Sequence, residues 1–86
     1  MIKEFDYTSP KGIRHRKVFV IKENENYIAG LDLTLLSQED CDTIMSMYKD
    51  VKPISDFKSK ITLENFNPDW NRAYRQFTKS HICSFK

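Results

Sequence analysis

The residues of this chain best suited to chemistry are cations interleaved with aromatics. From Trp70 to Lys86 the sequence reads WNRAYRQFTKSHICSFK, setting Arg72, Arg75, Lys79 and Lys86 among Trp70, Tyr74, Phe77 and Phe85 without one acid. A second acid-free stretch, Tyr7 to Lys22, carries Lys11, Arg14, Arg16, Lys17 and Lys22. Basic groups neutralise phosphates and aromatic faces stack on bases, so this composition suits a nucleic-acid surface. It equally suits a β-strand with one face in a core and the other in water. On the nucleic-acid reading, Arg14, Arg16, Lys17, Arg72, Tyr74 and Lys79 make the contacts. Arg75 shares a strand face with Phe77, so it either lies at a core rim, meets a carboxylate such as Asp32, or binds a ligand.

Other chemistries find less support. His15, Cys41, His81 and Cys83 include no CxxC or HxxxH pair, the spacing structural zinc sites use. Cys41 falls on an apolar helix face without a base and orienting acid at hand, so it reads as packing rather than as a nucleophile. Glu39, Asp40 and Asp42 cluster in the first turn of a helix, where they complement its dipole and face solvent. Gly12 and Gly30 are the only glycines, too few for a phosphate loop. The expectation is a protein that acts without catalysis, metal or cofactor. Glu39 and Asp42 are the candidates for contact with a protein partner.

These side chains need a scaffold, and 86 residues predict one domain over 1–86. The net charge of +2 is small but unevenly spread, with basic terminal segments around an acidic centre. No apolar run approaches a membrane span, and the start MIKEFDY lacks the apolar stretch of a secretory signal. Cys41 and Cys83 sit among apolar neighbours and read as free thiols in a reducing cytoplasm.

Residues 3–8 alternate as a strand, and Ser9-Pro10-Lys11-Gly12 supplies a turn. A partner strand over 14–21 follows, then a polar turn at 23–26 and a third strand over 27–33 with a bulge or bend at Gly30. Ser37 caps a helix over about 38–49, with Leu36 and Cys41 as a hydrophobic staple and Cys41, Ile44, Met45 and Tyr48 as its core face. Pro53 stops it. Strands are expected over 61–66 and 70–77, the latter continued by Ile82 and Phe85 after a bend. The pattern predicts a mainly β (α+β) fold: a small antiparallel five-stranded barrel with the helix inserted between its third and fourth strands.

The residues Arg75, Phe77 and Ile82, spaced R-x-F-x-x-x-x-I, resemble the closing strand of the WYL domain. Phe5 and Tyr7, the turn at Gly12, Arg16 with Val18, and Asn26-Tyr27-Ile28 followed by Leu31-Asp32 resemble its opening, in order. Asn26 stands where the family has its namesake Trp, and His81 where it has an Arg. The resemblance implies an Sm-like small barrel, with Tyr27, Arg75 and His81 at ligand-facing positions. The chain also resembles small stand-alone Sm-like barrels of bacteriophages, which implies binding to a host protein in the host cytoplasm, with nucleic acid as the alternative partner.

Overall fold

The structure is a computed structural model and describes residues 1–58 and 66–85. Five strands form one antiparallel sheet: β1 (Ile2–Ser9), β2 (Gly12–Glu23), β3 (Tyr27–Asp32), β4 (Tyr74–Thr78) and β5 (Ile82–Phe85), in the order β4-β3-β2-β1-β5. Among the described residues, one α-helix, α1 (Gln38–Tyr48), lies between β3 and β4. No described helix is long and apolar enough to cross a membrane.

Local chemistry explains the turns. Gly12 takes a φ of +113°, which an L side chain rarely adopts, and the Ser9 hydroxyl donates to its carbonyl. At the second turn, Asn24 Oδ1 accepts from the amides of Asn26 and Tyr27, each at 2.8 Å, so the side chain replaces backbone pairing. Ser37 Oγ caps α1 by accepting from the Asp40 amide at 3.2 Å.

β4 and β5 lie at opposite ends of the sheet, yet only Lys79–His81 separate them. A flat sheet would hold its outer strands about 19 Å apart. The connection reaches only about 14 Å. The sheet must therefore curl. Phe5 of β1 and Phe77 of β4 meet edge to face inside the curl, their centroids 5.2 Å apart. The Thr78 amide donates to the Tyr7 hydroxyl across the same space at 3.2 Å. The curl is not closed, since β4 and β5 do not pair, so the expected barrel is present only as a bent sheet.

Both faces of the sheet are buried, and this is why Val18 to Lys22 reads as an unbroken buried run. Phe5, Val18, Val20, Ile28 and Phe77 fill the inside. Phe19, Ile21 and Leu31 face the other way, against Leu33, Ile44, Tyr48 and Trp70. The β2–β3 register slips between Val20 and Lys22, leaving Ile21 as an extra residue opposite the region of Gly30. The bulge frees backbone groups for a third segment: Ile54 N donates to Ile21 O, and Glu23 N donates to Ile54 O.

Three expectations are corrected. The strand expected from Trp70 begins at Tyr74, because Asn67 Oδ1 accepts from the Asp69 amide and Pro68 opens a 3-10 turn over Pro68–Ala73. That turn drops Trp70 into the core. Ile82–Phe85 does not prolong β4; it crosses to pair with β1. Met45, expected in the core, is 39% exposed, whereas Ile44 and Tyr48 are buried. The strand expected over 61–66 falls, apart from Phe66, outside the described residues.

Candidate functional site

On α1, Gln38, Cys41, Asp42 and Met45 fall at i, i+3, i+4 and i+7 and form a stripe along one flank. Ile2, Lys17, Leu33 and Thr34 face it from the sheet and the turn after β3, and the two sides enclose a groove of about 280 Å³. Its apolar lining is Ile2, Leu33, Cys41 and Met45. The walls are charged with opposite sign. Asp42 stands on the helix wall, held by Gln38 Nε2 at 2.8 Å. Lys17 stands on the sheet wall, opposite Glu4 in the β1–β2 register and 4.0 Å from its carboxylate.

Cys41 lines the groove as a thiol. Its Sγ donates to the Leu33 carbonyl at 3.4 Å. Burial pushes its pKa up, and the carboxylates of Asp42 and Asp40 push the same way, so the nucleophilic thiolate is disfavoured. His15 extends the charged face of the hairpin, with Nε2 3.2 Å from Glu4 and Nδ1 3.5 Å from Asp6.

The other sequence candidates are dispersed. Arg16 is an internal counter-ion: its Nη1 donates to Asp32 Oδ2 at 3.0 Å, and Asp32 is fully buried. The second Asp32 oxygen accepts from the amide and hydroxyl of Thr34. The pairing of Asp32 with Arg75 is thus corrected. β4 begins only at Tyr74, so Arg75 sits at the sheet end, exposed, and its Nη1 donates to the carbonyls of Arg72 and Tyr74. Arg72 Nη1 in turn donates to Leu35 O at 2.8 Å. Tyr74 is half-buried against the helix-side core, and burial raises its phenol pKa.

Tyr27 and Lys79 meet in a recess with Glu25, Asn26, Thr78 and Ser80. Lys79 is not free there, because it and Lys3 both pair with Glu23 Oε2, at 2.8 and 2.9 Å. Partial burial pushes the Glu23 pKa up, but hydrogen bonds from Lys79 and Lys3, with their charges, outweigh it and leave the carboxyl below its ordinary 4.5. A depressed carboxyl contributes stability in full above its unfolded-state pKa and loses it as pH falls through the folded-state value. Glu23→Gln is therefore expected to be less stable than wild type near neutrality and to converge with it below pH 4.5, as read by urea midpoints across pH. A constant difference down to low pH would contradict this.

Arg14 and His81 lie on either side of Tyr7: Arg14 is its cross-strand partner, and the His81 ring centroid is 6.0 Å away. Glu39 is exposed on α1, outside the groove that holds Asp42. The structure thus brings Lys17, a nucleic-acid candidate, and Asp42, a protein-contact candidate, to the two walls of one groove. The sequence does not single out Gln38 and assigns Met45 to the core face, because a mixed polar–apolar stripe through Gln38, Cys41, Asp42 and Met45 is a weaker pattern than the apolar face beside it.

Comparison with protein-family models, curated proteins and solved structures returns no match for this chain. The fold and groove define a small α+β protein: a curled, five-stranded antiparallel sheet with one helix packed over it.

Proposed function

We propose that this protein acts by binding, and that the groove between α1 and the β1–β2 hairpin receives a short segment of a partner protein. The observation that carries this reading is the pairing of oppositely charged walls, Asp42 and Lys17, over apolar Ile2, Leu33, Cys41 and Met45. The complementary segment presents an apolar side chain between a cation, which meets Asp42, and an acid, which meets Lys17. Met45 adds an adaptable thioether contact. An acidic helix wall disfavours phosphate, so a protein fits this groove better than nucleic acid does. The upward shift of the Cys41 pKa disfavours its thiolate and so gives no support to a cysteine nucleophile in the groove.

The strand order and the three-residue link between outer strands support an Sm-like small barrel, left open between β4 and β5. The resemblance to stand-alone bacteriophage barrels supports a host protein as the partner, met in the cytoplasm, where Cys41 and Cys83 remain free thiols.

Asp42→Lys and Met45→Glu alter exposed side chains and are expected to leave the fold intact. Each is expected to reduce capture of a nuclease-resistant protein from host lysate at least tenfold, whereas Glu39→Lys, outside the groove, reduces it less. Undiminished capture by both groove variants would exclude the groove as the contact.

A further inference from the structure

A second recess lies at the tip of the β1–β2 hairpin, where Tyr7, Thr8, Ser9, Pro10 and His81 line a space of about 370 Å³. This is the size at which small-ligand sites begin. Its character differs from that of the helix groove. The Tyr7 and His81 rings stand 6.0 Å apart with their planes inclined by 49°, and Pro10 adds an apolar wall. Tyr7 is held in place, its hydroxyl accepting from the Thr78 amide and its ring edge-on to Phe77 at 5.0 Å. Tyr7 is thus a fixed platform, with the exposed His81 ring at its side.

The charge around this platform is of one sign. Arg14 is the cross-strand partner of Tyr7 and projects to the same sheet face, with Cβ atoms about 4.5–5.5 Å apart. Lys11 follows Pro10 in the turn. Both cations are exposed, and neither forms an ion pair among the described residues. The nearest acid of β1, Asp6, projects to the opposite face, where it meets His15. Arg16 and Lys79 are compensated by Asp32 and Glu23, and Lys17, 4.0 Å from Glu4, faces the helix groove instead. Arg14 and Lys11 therefore stand apart as uncompensated cations beside two mutually tilted rings.

We infer that this recess binds a nucleotide unit, with the base against Tyr7, Pro10 and His81 and the phosphate on Arg14 and Lys11. A planar π-face suits the aromatic platform, and an anion suits the uncompensated cations. The unit can come from a free nucleotide or from a single strand, since both present the same base and phosphate. The inference is independent of the protein-binding groove, which lies between α1 and the hairpin and shares none of its lining residues.

The test is a titration of the full chain, by NMR at low salt, with uridine and adenosine monophosphates in one arm and with eight-nucleotide oligo(dT) and oligo(U) in another. Expected are shifts of the Tyr7 and His81 ring signals and of the Ser9 and Lys11 amides, in at least one arm. A response to mononucleotide identifies a free nucleotide as sufficient; a response to oligomer alone identifies a strand. His81→Ala and Arg14→Glu, both at exposed positions, are expected to weaken binding at least fivefold and tenfold. Arg72→Ala, remote from the recess, is expected to leave it unchanged. Absence of shifts in both arms overturns the inference. Weakening by Arg72→Ala equal to that by Arg14→Glu also does, because it reports diffuse attraction rather than a site.

Discussion

Gly30→Ala is expected to cost about 3 kcal/mol or more, enough to lower the melting temperature by roughly 15 °C or to prevent folding. A Cβ built at Gly30 would lie 1.9 Å from the Phe19 carbonyl oxygen and 2.8 Å from its carbon. Both obstacles are backbone, and Phe19 is itself locked between two strands, so no side-chain rotation relieves the clash. The close approach belongs to the bulge that makes Ile21 an extra residue. Forcing the strands apart would disturb both cores, which lie on opposite faces of β2. Gly12→Ala is the control. Gly12 has a φ of +113° but nothing within 4 Å of an added Cβ, so its cost is conformational only, about 1–2 kcal/mol. Thermal melts followed by circular dichroism compare the two. An equal or smaller loss at Gly30 would contradict the account of the bulge.

Asp32→Ala is expected to destabilise by about 3 kcal/mol, through two separate losses. It removes the counter-ion of Arg16, whose side chain is only 23% exposed and whose Nε is already buried without an acceptor among the described residues. It also removes the acceptor for the Thr34 amide, which starts the turn leading to α1. Asp32→Asn retains an acceptor for Thr34 but not the charge, so it separates the two contributions. Arg16→Met in the Asp32→Ala background is expected to recover part of the loss, because the uncompensated cation is then gone. Urea unfolding of wild type, Asp32→Ala, Arg16→Met and the double variant forms the cycle. If the double variant is less stable than Asp32→Ala, the pair does not carry the buried charge as described.

Much of this scaffold was legible in the sequence where a local signal has one structural solution. Ser9-Pro10-Lys11-Gly12 has the residues of a hairpin turn, Ser37 is a helix cap before an apolar stripe, and Gly30 has no side chain where strands approach closely. Trp70 was harder. A β-rich run of aromatics and arginines continues unbroken from Trp70 into β4, and only the Asn67-Pro68 start of the 3-10 turn marks the difference. The partner of Asp32 was illegible for another reason. Arg16 and Arg75 both lie on strands flanking β3, and the register that assigns Asp32 to Arg16 depends on a bulge five residues beyond Arg16. The groove depends on tertiary packing. Lys17 and Asp42 are far apart in sequence, and periodicity along either element gives no sign that they face each other.

The direct test of the protein-binding proposal is site-specific photo-cross-linking on α1. A photoreactive residue at Gln38 stands on the groove wall, and one at Thr43 stands on the exposed face away from it. In nuclease-treated cell lysate, the account predicts a discrete protein adduct from position 38 and little from position 43. No adduct at position 38, or the same adduct at equal yield from both positions, would contradict it.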